Sequence, residues 1–149
     1  MKKIVIIMTI ILVSGCSLVK NNNNIEVKES SDSMNSVNIN IDGREYILNL
    51  EDNNTTKELV NMLPLSITMN ELNGNEKYYY LDSNLSTNNY NPSTINKGDV
   101  MLYGSNCLVV FYKSFDTSYS YTKIGHIDNL DDLDSGNIEV KIYRGGSNE

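Results

Sequence analysis

The sequence predicts a mainly β domain: a closed antiparallel barrel of about eight short strands with two short capping helices. Three observations point there. From Val37 onward apolar residues recur at every second position in short runs, as in Val37, Ile39 and Ile41 and again in Leu65, Ile67 and Met69, the spacing that turns one face of a strand to a core. The runs are divided by turn signals, Asp42-Gly43, Asn73-Gly74 and Gly104-Ser105-Asn106 among them, with Asp-Gly the strongest short-range hairpin signal. One run, residues 107–112, is apolar and β-branched almost throughout, which marks it as the most buried strand.

Three segments follow one another along the chain. Residues 1–15 read as an export signal: Lys2 and Lys3 precede an apolar run from Ile4 to Val13, too short for the roughly 20 apolar residues that span a bilayer. Val13-Ser14-Gly15-Cys16 then resembles the lipobox of bacterial lipoproteins, with an aliphatic residue three places before a cysteine and small residues between. The resemblance implies that Cys16 carries diacylglycerol as a thioether and becomes the new amino terminus, on the outer face of the cell membrane. Two acyl chains, at about 0.8 kcal/mol per buried methylene, hold such a protein stably. Residues 16–36 form a tether rich in Asn and Ser, with too little apolar surface to offset the entropy of ordering. As a random coil, it reaches roughly 25 Å. Residues 37–149 form the folded domain.

Within that domain Val37 to Ile41 and Tyr46 to Leu50 alternate about Asp42-Gly43 as a hairpin. Asn54 or Thr55 caps a short helix whose Leu59, Met62 and Leu63 form a stripe that Pro64 ends;. Leu65 to Met69 and Lys77 to Leu81 are strands, and residues 83–94 are a polar loop long enough to have a surface role;. Val100 to Tyr103 and residues 107–112 are strands. Residues 114–121 form a loop rich in Ser, Thr and Tyr, and residues 122–127 form another strand. Asp128 caps a second short helix on which Leu130 and Leu133 share a face, and Gly136 stops it;. Ile138, Val140 and Ile142 alternate as the last strand.

Composition removes several classes of function. With 12 Lys+Arg against 19 Asp+Glu the 149-residue chain carries a formal charge of -7, which argues against a nucleic acid partner, since phosphate binding rests on a basic surface. With one His, two Cys and no Trp, no zinc cluster, disulfide scaffold or other metal site is expected. Asp128, Asp131, Asp132 and Asp134 fit the calcium-loop spacing only in part and read as the polar face of the second helix. His126 reads as a solvent-facing strand histidine, Asp99 as a turn residue and Cys107 as a buried inert thiol. The ten Tyr offer wide amphipathic faces suited to gripping peptides or sugars, or else pack alternately inside and outside the barrel.

Residues 64–72, 76–81, 98–106, 108–115 and 121–127 together resemble the compact bacterial cyclophilin-like domain, over Val37 to about Tyr143, with the Gly98-Asp99 to Lys113-Ser114-Phe115 block as the most specific part. The resemblance implies an eight-stranded cyclophilin-type barrel with two helices at its ends. It also implies a groove in which Met101, Tyr103, Val109 and Phe111 fall where true cyclophilins grip a proline ring and Tyr121 stands where they have a rim histidine. In those enzymes an arginine donates to the prolyl nitrogen and weakens amide resonance, lowering a barrier of about 18–20 kcal/mol. The corresponding strand here reads Tyr78-Tyr79-Tyr80, and the chain's arginines are Arg44 and Arg144. The expectation is therefore a ligand- or peptide-binding module. A divergent prolyl isomerase acting on exported proteins is the alternative, and a purely structural surface module the third reading. Relatives joined to flavodoxin-like domains hint at a redox setting, but no phosphate-cradling glycine loop is present, and neither flavin nor any other cofactor is expected.

Overall fold

The computed structural model describes residues 35–145. Nearly all of the leader and tether, Cys16 included, lies outside them. The strands are β1 (Ser36–Ile41), β2 (Arg44–Leu50), β3 (Leu65–Leu72), β4 (Glu76–Tyr80), β5 (Thr94–Ile95), β6 (Asp99–Tyr103), β7 (Cys107–Phe111), β8 (Phe115–Asp116), β9 (Thr122–Ile127) and β10 (Ile138–Tyr143), with one helix, α1 (Asn54–Asn61). Eight strands close into an antiparallel barrel in the order β1-β10-β3-β4-β7-β6-β9-β2, and β5 and β8 pair separately. The predicted fold class stands, with one helix in place of two among the described residues.

Alternation fills the barrel. Val37, Ile39 and Ile41 of β1, Ile67 and Met69 of β3, and Ile138, Val140 and Ile142 of β10 point inward and join Leu102, Leu108, Val110 and Ile124 in one apolar core. Full closure leaves none of these eight strands with an unpaired edge. Backbones come unusually close where β9 meets its neighbours. A Cβ added to Gly125 would lie 2.1 Å from the Asn49 carbonyl oxygen of β2. Across β6 the register shifts between Val100 and Met101, a bulge opposite that same glycine.

The ends of the barrel are closed differently. At the end where β3 begins, α1 seats Thr55, Thr56 and Leu59 inward. Its N-cap is Asn53, one residue before the expected Asn54 or Thr55: the Asn53 side chain accepts from Thr56 N–H at 2.8 Å and donates to the Lys123 carbonyl at 2.8 Å. Several residues in this run can cap a helix, and the barrel selects among them. The hydroxyls of Thr55 and Thr56 are taken up by the carbonyls of Ser86 and Ile124.

At the other end residues 130–134 are irregular, not helical. Leu130 is still buried in the core and Leu133 packs against it, so the apolar pair is used without the helix. Asn129 takes a left-handed φ of 55°. The Asp134 and Gly136 carbonyls are turned onto Lys77 Nζ, at 2.6 and 2.7 Å. The acidic side chains also find partners outside the segment: Asp131 accepts from Tyr46 and Arg44, and Asp132 from Lys97. The left-handed Asn129 stands at what would be the first helical position, so the backbone leaves the helical path at its start;.

Two further expectations are corrected. Strand β7 ends at Phe111, and Tyr112 lies just past it, giving its N–H to the Asn75 carbonyl. His126 is not simply solvent-facing. It stands directly across from Asp99 in the β6–β9 register, with Nδ1 3.0 Å from Asp99 Oδ1 and the Asp99 side chain buried. Asp99 also accepts from Asn96 N–H at 2.8 Å, so the turn residue ties turn and strand together.

Candidate functional site

Strand β7 is buried along its whole length because it is covered on both sides. Leu108 and Val110 point into the barrel. Cys107, Val109 and Phe111 point outward and meet Met101 of β6, Ile95 and Tyr121 in a second apolar cluster, with Tyr78 and Phe115 packed against it. This outer layer is roofed by the two polar loops. Tyr90 and Tyr121 exchange backbone hydrogen bonds at 2.9 Å each way, Thr94 and Ile95 pair with Asp116 and Phe115, and Thr117 N–H reaches the Ser93 carbonyl. The loop of residues 83–94 is thus pinned to the loop of residues 114–121.

Aromatic rings line this layer edge to face, the geometry that suits their quadrupoles. Phe111 meets Tyr121 at 5.5 Å and 89°, and Tyr103 meets Tyr119 at 6.0 Å and 87°; Tyr78 and Tyr80 stand 5.7 Å apart at 75°. Beside the roof a cavity of about 410 Å³ opens, walled by Tyr103, Tyr119 and Tyr121 on one side and by Glu76, Tyr78 and Tyr80 on the other. Val109 and Cys107 lie at its base, with Leu72 and Asn73 at the rim turn.

Of the residues implied to form a groove, Tyr103, Val109 and Tyr121 line this cavity, whereas Met101 and Phe111 lie in the outer apolar cluster beneath the roof. The structure therefore gathers all five on one side of the barrel, two of them as support for the other three. Glu76, Tyr78, Tyr80 and Tyr119 are additional lining residues. The first three were legible as every second residue of a strand, which places them on one face.

Glu76 is the one carboxylate on the wall. Burial, reinforced by nearby Glu71, pushes its carboxyl above the ordinary range. Burial and then the Glu76 charge push the Cys107 thiol up to about 11, so it is neutral and unreactive at physiological pH. Neither arginine lines the cavity: Arg44 pairs with Asp131 at 3.2 Å on the surface, and Arg144 donates to the Val60 carbonyl. No grouping of three or more metal-ligating side chains occurs among the described residues.

A closed antiparallel barrel with a concave aromatic site on the outside of its wall, rather than in its lumen, is the class of protein that fold and site define. Residues 39–143 match the cyclophilin-like family, and the chain belongs to it. Its fold also resembles the solution structure of a hypothetical protein from Archaeoglobus fulgidus, with a TM-score of 0.53 at 17% identity, covering 74% of this chain and 94% of that one. No curated protein matches the chain.

Proposed function

We propose that the protein is a lipid-anchored, extracytoplasmic binding module that takes a ligand in the tyrosine-lined cavity and does not isomerise prolyl bonds. The observation that carries the binding reading is the cavity itself: concave, largely apolar at its base and rimmed by a few polar groups, the usual make-up of a ligand site. What speaks against the isomerase is that the cavity lining holds no arginine to weaken amide resonance. In a protease-free assay the purified protein leaves the isomerisation rate of a proline peptide at background. Acceleration that Tyr103→Ala removes would overturn this and establish the divergent isomerase.

The anchor rests on the residues leading to Cys16. None of the described helices is long and apolar enough to cross a membrane; attachment in this reading is by lipid. Cells expressing the protein incorporate a fatty-acid probe into it, and Cys16→Ala abolishes the labelling. Undiminished labelling of that variant rules out the lipidated cysteine.

A further inference from the structure

We infer that the occupant of the cavity is a small organic cation with a quaternary ammonium head, held by the Glu76 carboxylate and the surrounding tyrosine rings. This deepens the binding reading above and depends on it.

The inference starts from an unbalanced charge. Glu76 is half-buried and has no side-chain hydrogen bond or ion pair among the described residues; only burial and the Glu71 charge act on its carboxyl. Other shielded acids of this barrel are treated differently. Glu71 receives the Lys77 ammonium, the Tyr112 hydroxyl and the Gly74 N–H, and Asp99 faces His126 and the Asn96 N–H. A partly desolvated carboxylate without a partner is unfavourable, and a bound cation supplies that partner.

The surroundings favour a particular cation. No Lys or Arg lines the cavity, and Lys77, the neighbour of Glu76 in β4, points the opposite way and is fully buried in its own pairing. Five tyrosines line the walls, and the near-perpendicular pairs Tyr103–Tyr119 and Tyr78–Tyr80 present ring faces in more than one direction. Ring faces attract cations, and such cages suit methylated ammonium heads. A primary ammonium is strongly hydrated and gives up that hydration on entering an aromatic-walled cavity, whereas a quaternary head has no N–H donors to satisfy. The volume of about 410 Å³ takes a compact head and a short arm. The formal charge of -7 favours approach of a cation over an anion.

The test uses the purified full chain and three probes followed by NMR: choline, its neutral isostere 3,3-dimethylbutan-1-ol, and a capped lysine carrying a primary ammonium. Choline shifts the ring signals of Tyr78, Tyr103 and Tyr121 and binds at least tenfold more tightly than the other two. Glu76→Gln removes that preference, and Glu76→Asp keeps part of it. Because ionised Glu76 opposes folding, Glu76→Gln also melts higher at neutral pH. That gain fades as pH falls through the raised Glu76 titration and the carboxyl takes up a proton;, so loss of binding in this variant is not loss of fold. Equal binding of choline and the isostere overturns the cation and leaves the binding module standing. Tighter binding of capped lysine overturns the quaternary head. If none of the three shifts a cavity resonance, the inference fails, and the module reading is then judged by the isomerisation assay.

Discussion

Lys77→Met lowers the stability of the domain by about 3 kcal/mol, the loss expected when one member of a buried ion pair is removed. The Lys77 side chain is 0% exposed, and its ammonium spends its donors on the Glu71 carboxylate and the Asp134 and Gly136 carbonyls, with the Tyr112 ring 5.0 Å away. Methionine nearly matches the length of the stem, so little cavity opens and the loss comes from stranded acceptors. Glu71 itself is raised by burial, but its hydrogen bonds from Lys77 and Tyr112 outweigh this and hold the carboxyl below its ordinary value. A depressed carboxylate contributes stability above its unfolded pKa and loses it as pH falls through the folded one. The wild type therefore weakens through this acid window, and Lys77→Met has less of that slope to lose. Urea unfolding at neutral and acid pH reads both effects, with the midpoint lowered and the m-value unchanged. An unaltered midpoint would mean that Lys77 does not hold the irregular segment against the barrel end.

Phe111→Ala costs about 3–5 kcal/mol, the usual range for a buried phenylalanine, and the loss begins in the roof. Phe111 is fully buried, yet it belongs to the outer cluster and not to the barrel core. Its ring supports Tyr121 and Phe115 at 5.5 and 5.7 Å, which come from the loop that roofs the outer cluster and supplies one wall of the cavity. Val110 lies beside it in β7 and faces the barrel core. Amide exchange separates the two positions. Phe111→Ala speeds exchange at Ile95, Thr117 and Tyr121 more than in β1 and β10, whereas Val110→Ala raises exchange throughout the barrel. Uniform acceleration in both variants would show that the outer layer has no stability of its own to lose.

Most of the barrel was legible because its strands carry their instructions locally. The alternation in β1, β3 and β10 names the inward residues, and the turn dipeptides divide one strand from the next. The run at residues 107–112 announced a strand with two covered faces, but not what covers the second. That cover is the pairing of two polar loops through Tyr90 and Tyr121, and such loops have no period to read. The second helix failed for a related reason. Leu130 and Leu133 have helical spacing, but the backbone leaves the helical path at Asn129, and the carbonyls of the segment are drawn to a lysine more than fifty residues earlier. No window on the sequence connects Lys77 with Gly136. The groove residues were named through family likeness, and Glu76 escaped because a glutamate at a strand edge reads as solvated until the strand beside it is known.

The order of strands around the barrel has a mechanical consequence. β1 and β10 are antiparallel neighbours, with Asn38 opposite Tyr143, so the described segment enters and leaves at the same rim. The hydrogen bonds between antiparallel strands run across them. A pull on residues 36 and 143 would load those bonds one after another, as in opening a zip, rather than all together in shear. Tension between the two ends would thus peel β10 from β1 at modest force, and the aromatic wall, whose strands β4 and β6 lie respectively two pairings from β10 and three from β1 around the ring, would feel it only after the seam had opened.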